Sequence, residues 1–251
     1  MIRILTGKGI AHLRMHPGDF RSGRIIREGS EMKIIARIQN AYNGKFGVPR
    51  QSGLVEEVIS TIVFEPEYRI PEALRGIEAF SHLWLIWAFD RTERETWSPT
   101  VRPPRLGGNQ RIGVFATRSP YRPNPIGLSC VKLIGVEKGK EGTVLRVAGA
   151  DLANGTPIYD IKPYLPYADC RTDATGGFTD HTEKRQVRVE IPERIAEKAG
   201  AELLQELKAV LREDPRPAYH EDPERIYAFE FGGKHVEFRV AEGILKVEKI
   251  E

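Results

Sequence analysis

The chain has 251 residues, of which 40% are hydrophobic and 29% charged, so it has the composition of an ordinary globular protein. No apolar stretch approaches the roughly 20 residues of a membrane-spanning helix, and the N-terminus lacks the apolar region of a signal peptide, so we expect a cytoplasmic protein. Only Cys130 and Cys170 are present, which argues against a disulfide framework or a cysteine zinc site, and the net charge of +3 is only weak evidence for a polyanionic partner.

The first 32 residues show no sustained hydrophobic period and are predicted to be an N-terminal extension. A flexible segment and a natural start at Met32 both remain open for this part of the chain. Residues 71–80 form the one clear helix candidate of the following region, with Pro71 in its first turn. Runs rich in Val, Ile, Phe and Trp predict strands at residues 34–38, 55–64, 82–89, 112–117, 128–136, 143–150 and 157–161.

Many short strands with turn-rich connections favour an antiparallel barrel or sandwich over alternating βαβ units. We assign this mainly β domain to residues 33–170 and a linker rich in Gly, Thr and Asp to residues 171–184. Residues 185–251 are predicted to form a smaller α+β domain, because one strand-like run, a long amphipathic helix and three further strand-like runs follow one another there. The apolar stripe of that helix consists of Ile195, Ala199, Leu203, Leu207 and Leu211.

Basic residues are concentrated in one stretch of the chain. Residues 98–136 contain no Asp or Glu, but they include Arg102, Arg105, Arg111, Arg118, Arg122 and Lys132. This distribution predicts contact with a polyanion, although the same arginines would also serve to cover apolar surface or to pair with distant acids.

Most sequence motifs of known chemistry are absent. Neither G-x-G-x-x-G, G-x-x-x-x-G-K-[ST] nor G-x-S-x-G occurs, so a dinucleotide fold, a P-loop and a serine hydrolase are not supported. His12 and His16 have the spacing of a metal pair but lack a third ligand, and we expect no metal site. Four loops instead combine prolines with charged or aromatic residues, as expected of a preorganised ligand site: residues 46–51, 115–129, 151–169 and 214–219.

Read together, these loops resemble the TrmO family of S-adenosylmethionine-dependent tRNA methyltransferases. The resemblance covers roughly residues 36–170 and rests on FGVPRQSGLV, RGIEAFSHLWLIWAF, VRPPRLGGNQRIGVFATRSPYRPNPIGLS and DLANGTPIYDIKPYLPYAD, and it resumes at DPRPAY. It implies a β-barrel catalytic domain, a homodimer, and transfer of a methyl group to N6 of threonylcarbamoyladenosine at tRNA position 37. The cofactor residues that it implies are Pro49, Arg50, Gln51, His82, Leu83, Arg118, Leu128, Ala150, Asp151 and Leu152.

The residue types fit this chemistry. Arg50 or Arg118 is expected to bind the cofactor carboxylate, and Asp151 to accept hydrogen bonds from the ribose hydroxyls or the ammonium. Leu83, Leu128 and Leu152 are expected to offer apolar surface to the adenine. Methyl transfer is an in-line displacement governed by positioning, but an acylated nitrogen must lose a proton. We expect that catalytic task to fall to Asp160, Lys162 or Tyr164.

The substrate residues are expected among the basic and aromatic side chains of the proline-rich loops. Arg122, Lys162 or Arg216 would receive the threonyl carboxylate, and Tyr121 or Tyr164 would stack on an unpaired base. Two alternatives remain open from the sequence: a non-catalytic RNA-binding barrel that uses the same residues, and a methyltransferase that acts on a small molecule.

Overall fold

The computed structural model describes residues 4–6, 9–11, 32–91, 96–106, 108–181, 186–217 and 222–251. Its strands, in chain order, are β1 (Ile4–Thr6), β2 (Gly9–Ala11), β3 (Ala36–Gln39), β4 (Ile59–Phe64), β5 (His82–Ala88), β6 (Thr100–Val101), β7 (Ile112–Gly113), β8 (Ile126–Gly139), β9 (Gly142–Ala148), β10 (Pro157–Pro163), β11 (Arg188–Glu190), β12 (Tyr227–Phe231), β13 (Lys234–Ala241) and β14 (Ile244–Ile250). The α-helices are α1 (Pro166–Asp169), α2 (Glu193–Ala196) and α3 (Ala201–Arg212). Within the described residues, none of these helices has the length and apolar character needed to span a bilayer.

The chain divides into two units, residues 1–33 and residues 34–251. In the first unit, β1 and β2 pair antiparallel, with Ile4 opposite Ala11. The N-terminal extension predicted from the sequence therefore contains a short hairpin. His12 and His16 lie outside the described residues.

Six strands of the second unit close into a barrel in the order β10, β3, β4, β9, β8, β5. Every neighbouring pair in this barrel is antiparallel. Buried and more exposed residues alternate along β3, β4 and β5, as expected when one face of a strand points into a barrel and the other points out. Ile38, Ile62, Leu85, Leu145 and Ile158 fill the barrel interior and are fully buried.

Residues 112–117 were predicted to be a barrel strand, and that prediction is wrong. Only Ile112–Gly113 is extended, and it pairs with Thr100–Val101 outside the barrel, after which Val114–Ala116 forms a 3-10 turn. The carbonyl oxygen of Val114 accepts hydrogen bonds from the Thr117 main chain at 3.1 Å and from the Thr117 hydroxyl at 2.8 Å. This local bonding replaces the pairing that a neighbouring strand would supply.

Two predicted helices are interrupted by glycines. The helix expected at residues 71–80 is instead two 3-10 turns, Pro71–Leu74 and Ile77–Ala79, because Gly76 between them has a left-handed φ of 87°. The long C-terminal helix is divided into α2 and α3 at Gly200, whose φ of 78° and ψ of 158° are incompatible with a continuous helix.

The C-terminal part of the chain forms a four-stranded sheet in the order β11, β14, β13, β12, in which only β11 and β14 are parallel. Leu207 and Leu211 of α3 are buried against this sheet with Phe231, Phe238 and other apolar side chains. Tyr42, Val55 and Val58, which come from the barrel region, belong to the same core. The strands and helices predicted for the smaller α+β domain are thus present, and they share a core and a unit with the barrel.

Candidate functional site

Three adjacent barrel strands, β10, β5 and β8, present a regular grid of side chains on their outer surface. Strand register aligns Asp160 with Ile86 and Ile86 with Leu128, and a second row aligns Lys162, Trp84 and Cys130. In the third row His82 is opposite Lys132, and the main-chain N–H of Tyr164 donates to the His82 carbonyl at 3.0 Å. We call these nine residues the outer barrel face: His82, Trp84, Ile86, Leu128, Cys130, Lys132, Asp160, Lys162 and Tyr164.

The three predicted catalytic residues all lie on this outer barrel face. Asp160 Oδ2 is 2.8 Å from Lys162 Nζ, and both side chains are largely exposed. The Tyr164 ring packs against His82 and Trp84, with centroid distances of 6.2 Å and 5.8 Å. Partial burial and the neighbouring thiol and carboxyl groups raise the pKa of Tyr164, so its hydroxyl is protonated at neutral pH.

Asp169 completes one edge of the outer barrel face. Its Oδ2 accepts a hydrogen bond from Trp84 Nε1 at 2.9 Å and another from the Leu165 main chain at 2.8 Å. These bonds lower the pKa of Asp169, the main-chain bond contributing most. The carboxylate in turn fixes the orientation of the Trp84 indole.

A second polar group lies at the inward side of β8. Trp87 Nε1 donates to Ser129 Oγ at 2.9 Å, and Ser129 Oγ donates to Asp151 Oδ1 at 2.5 Å. Arg118 Nη1 donates to Gln51 Oε1, and the Arg118 charge acts on Asp151. We call Gln51, Arg118, Ser129 and Asp151 the Asp151 cluster.

The Asp151 carboxyl is in a mixed environment. Burial raises its pKa, while the hydrogen bond from Ser129, main-chain hydrogen bonds from Asp151 itself and Ser52, and the Arg118 charge lower it in part. The Ser52 hydroxyl also accepts a hydrogen bond from the Cys130 main chain at 3.2 Å. The cluster is therefore attached to the same strand that carries Leu128 and Cys130 on its outer side.

The loop that contains Pro49, Arg50 and Gln51 is held by the C-terminal part of the chain. Arg50 Nη2 donates to the carbonyl oxygens of Asp214 and Arg216 at 3.3 Å and 2.9 Å. These hydrogen bonds bring the proline-rich motif at residue 214 to the motif at residue 49, although the two are far apart in sequence. Of that C-terminal motif, the structure describes residues 214–217.

Arg216, which was predicted to bind a substrate anion, forms an ion pair with Asp214. Its Nε lies 2.8 Å from Asp214 Oδ1 and its Nη2 lies 2.8 Å from Asp214 Oδ2, and the side chain is 14% exposed. This two-pronged ion pair fixes the orientation of the guanidinium, and the contact with a substrate anion stays a prediction.

Three predicted cofactor residues direct their side chains into the barrel core. Leu83 and Leu152 are fully buried, and Ala150 is nearly so. The prediction that the Leu83 and Leu152 side chains present an apolar surface to an adenine is therefore wrong, because neither residue is exposed. Leu128 differs, since it is 55% exposed on the outer barrel face.

The predicted substrate residues Tyr121 and Arg122 lie in the proline-rich loop before β8. The Tyr121 main-chain N–H donates to Ser119 Oγ at 3.3 Å, and its carbonyl accepts from the Ser98 main chain at 3.2 Å. Arg122 Nη1 donates to the carbonyl oxygens of Val114 at 3.1 Å and Thr117 at 2.6 Å. Arg122 therefore braces the turn that precedes Arg118.

Sequence reasoning missed several residues that the structure brings into these groups. Ser129 and Trp87 could have been found from the alternation of side chains along a strand. Each is the neighbour of an outward-facing residue, Leu128 or Ile86, and therefore points inward. Ser52 directly follows the predicted loop at residues 49–51. Nothing in the local pattern signals Asp169, because its partner Trp84 is 85 positions away in the chain.

The barrel region and the C-terminal region of residues 34–251 each match a known protein-family model. The model described as the tRNA-methyltransferase O N-terminal domain matches residues 37–170, and the model described as the TrmO C-terminal domain matches residues 184–251. The first match includes the outer barrel face and the Asp151 cluster, and the second includes Asp214 and Arg216.

Individual proteins show the same similarity. The chain is 41% identical over 229 residues to the tRNA (adenine(37)-N6)-methyltransferase of Escherichia coli (strain K12), with 88% of this chain and 97% of that protein covered. It is 42% identical over 201 residues to a Pseudomonas aeruginosa protein provisionally named an S-adenosylmethionine-dependent methyltransferase, with 77% and 85% covered. The crystal structure of TrmO from Pseudomonas aeruginosa superposes with a TM-score of 0.71 at 32% identity and covers 88% of this chain and 98% of that one.

Proposed function

Because this chain belongs to the tRNA-methyltransferase O family, we propose that it transfers the methyl group of S-adenosylmethionine to N6 of the adenosine at tRNA position 37. The observation that carries this proposal is the similarity over nearly the whole length of the E. coli enzyme. The outer barrel face and the Asp151 cluster both lie within the region that matches the N-terminal family model. The finer part of the proposal is that the acceptor already carries a threonylcarbamoyl group.

The Asp151 cluster and Leu128 have the chemistry that the cofactor requires. S-adenosylmethionine supplies an electrophilic methyl group on a sulfonium and has a carboxylate, an ammonium and ribose hydroxyls to be bound. Arg118 is exposed and bonded to a neutral amide oxygen, so its charge is available to a carboxylate. Asp151 is a carboxyl that accepts hydrogen bonds, and Leu128 is an exposed apolar residue on the outer side of β8, next in the chain to Ser129 of the cluster. His82 lies on the same outer barrel face.

Asp160 is the proposed proton acceptor. An N6 atom that carries a carbamoyl group is a poor nucleophile, and its proton must leave as the new N–C bond forms. The raised pKa of Tyr164 keeps its hydroxyl protonated at neutral pH, so it is not the group that takes the proton. Lys162, at 2.8 Å from Asp160, would hold the carboxylate in place or receive the threonyl carboxylate. Strand register places Asp160 two strands from Leu128, or about 10 Å at the usual interstrand spacing.

The proposal is tested by nucleoside mass spectrometry after incubation of the protein with S-adenosylmethionine and threonylcarbamoylated tRNA. We expect N6-methyl-N6-threonylcarbamoyladenosine, and no product when the tRNA lacks the threonylcarbamoyl group. Asp160→Asn is expected to lose transfer while its thermal shift with S-adenosylmethionine is retained. Methylation of unmodified adenosine at the same position would contradict the finer proposal, and no methylated nucleoside in either tRNA would contradict the function.

Two further properties belong to the same proposal. We place the enzyme in the cytoplasm, where tRNA is modified, and we propose a homodimer in which a second copy covers the exposed apolar surface of β8 at Ile134, which is 50% exposed. A monomeric mass in sedimentation equilibrium at micromolar concentration would contradict the dimer. A non-catalytic RNA-binding barrel is the competing reading, and the absence of any thermal shift with S-adenosylmethionine would favour it.

A further inference from the structure

Two large aromatic side chains form an exposed pair outside the groups described above. The rings of Trp97 and Phe115 are stacked, with a centroid distance of 6.3 Å and an interplanar angle of 23°. Trp97 is 49% exposed and Phe115 is 71% exposed. Exposing two stacked aromatic rings is costly in water unless the rings have a ligand to cover them.

The pair is held by the turn that leads into the Asp151 cluster. The guanidinium carbon of Arg122 lies 5.7 Å from the centroid of the Phe115 ring, and the same side chain bonds the carbonyl oxygens of Val114 and Thr117 on either side of it. Phe115 is therefore fixed between two anchored main-chain positions. Arg118 of the Asp151 cluster is only three residues further along the chain.

Two arginines of the segment that carries Phe115, Arg111 and Arg122, have no carboxylate partner among the described residues. No Asp or Glu occurs in residues 98–136. Among the described residues, Arg122 donates to main-chain carbonyls and Arg111 donates to the Thr100 hydroxyl at 2.9 Å, so neither guanidinium is paired with a carboxylate. This surface has the combination of aromatic faces and unneutralised arginines with which proteins bind single-stranded nucleic acid.

We propose that Trp97, Phe115 and Arg122 form an aromatic platform on which an unpaired base of the tRNA anticodon loop stacks, next to the nucleotide that is methylated. The inference rests on the proposed function, which supplies the tRNA, and it deepens that function by naming where a neighbouring nucleotide binds. Phe115 and Trp97 provide the apolar faces, Arg122 positions Phe115 and adds a positive charge, and Arg111, which donates to a hydroxyl and not to a carboxylate, is the residue proposed to contact phosphate.

RNA fits this surface better than a second copy of the chain does. In a symmetric dimer that met through this patch, each copy would bring Arg111 and Arg122, and neither of these has a carboxylate partner among the described residues. The polyanionic backbone of RNA neutralises those arginines, and its bases cover the aromatic rings.

The test compares tRNA binding and methyl transfer for Trp97→Ala and Phe115→Ala with the wild type. Each variant is expected to raise the Kd and the KM for tRNA by roughly tenfold, the usual loss when a stacking side chain is removed, while the Kd for S-adenosylmethionine stays unchanged. Trp97→Phe and Phe115→Tyr keep an aromatic face and are expected to remain within about twofold of the wild type. Ile70→Ala is the matched control, because Ile70 is 53% exposed and is not part of the platform.

A direct optical measurement accompanies the kinetics. Bound tRNA is expected to quench the fluorescence of Trp97. Because the wild type and Trp97→Phe both contain Trp84 and Trp87, the difference between their fluorescence signals reports on Trp97 alone. Unchanged tRNA affinity in both alanine variants, with no Trp97 quenching, would overturn the platform even if methyl transfer is normal. Dissociation of a dimer in Phe115→Ala with unchanged tRNA affinity would overturn it in favour of a protein interface. A wild type that binds tRNA through these residues but transfers no methyl group would leave the platform standing and contradict the proposed function.

Discussion

At the scale of single residues, Asp151 connects the packing of the barrel with the ligand binding proposed for the site. Its carboxyl is tied through Ser129 to the buried Trp87 indole, and it faces the charge of Arg118. Burial nevertheless outweighs these favourable interactions and raises its pKa. The fold therefore maintains a carboxyl at this position at some expense of stability, as is common for groups whose role is to bind a ligand.

Replacing Asp151 by asparagine is expected to change the pH dependence of stability. A carboxyl whose pKa is higher in the folded chain disfavours folding once it ionises, that is, as the pH rises above the unfolded value of about 3.9. The melting temperature of Asp151→Asn relative to the wild type should consequently increase between about pH 4 and pH 7. Thermal denaturation across this range measures the difference.

Asp90→Asn serves as the control for that experiment, since it removes one carboxylate at an exposed position. A relative melting temperature of Asp151→Asn that falls as the pH rises would contradict the raised pKa. In that case the attraction of Arg118 and the hydrogen bond from Ser129 would be the dominant influences on Asp151.

At the scale of elements, strand β8 connects every part of the site. Its outward residues Leu128 and Cys130 belong to the outer barrel face, and its inward residue Ser129 belongs to the Asp151 cluster. Gly127 is the second residue of this strand and lies opposite Trp87, and a Cβ atom there would be 2.1 Å from the indole ring. The absence of a side chain at this position thus allows the indole to reach Ser129.

Gly127→Ala is expected to destabilise the protein by about 1–3 kcal/mol, because the added methyl group must displace a buried ring. Gly135→Ala is the matched control, since it lies on the same strand and its Cβ would meet nothing within 4 Å. Urea unfolding of the two variants measures the difference. Equal stability of both would show that the Trp87 ring moves without cost.

Most strands were predictable because their sequences are rich in Val, Ile, Phe and Trp. Residues 112–117 have a similar composition, yet the chain turns there, because Thr117 and Arg122 donate hydrogen bonds to the Val114 carbonyl. The Val114 carbonyl lies within the turn, but its donor Arg122 is eight positions further along the chain. A local pattern of hydrophobic residues therefore does not reveal this hydrogen bond. Gly76 likewise ends a helical pattern through its φ of 87°, which glycine permits but does not require.

The candidate site was predictable as a set of motifs and less so as a set of side-chain roles. Resemblance selected Leu83 and Leu152, but strand and loop packing turn both side chains into the core. Arg216 was predicted to bind an anion because of its residue type. Its ion pair with Asp214 becomes visible only in the fold. Such assignments depend on which atoms are left exposed after packing, and a single sequence does not contain that information.

At the scale of the whole molecule, the barrel and the C-terminal sheet share one boundary core. The Tyr42 ring packs on Phe231 at a centroid distance of 5.8 Å, and Phe46 packs on Phe229 at the same distance. Gly47 approaches Phe229 so closely that a Cβ would be 2.6 Å from its ring. The loop that carries Pro49, Arg50 and Gln51 is thus built on the C-terminal layer, and the site requires both parts of the chain.

This shared core predicts that residues 34–251 unfold in one cooperative transition. Leu145 in the barrel and Phe238 in the C-terminal core are both fully buried, so Leu145→Ala and Phe238→Ala are each expected to cost about 2–5 kcal/mol. Differential scanning calorimetry should show that each variant shifts the same single peak to lower temperature, with equal calorimetric and van't Hoff enthalpies. Two peaks, with each variant moving only one of them, would instead mean that barrel and sheet fold independently and that the loop at residue 49 is held by the barrel alone.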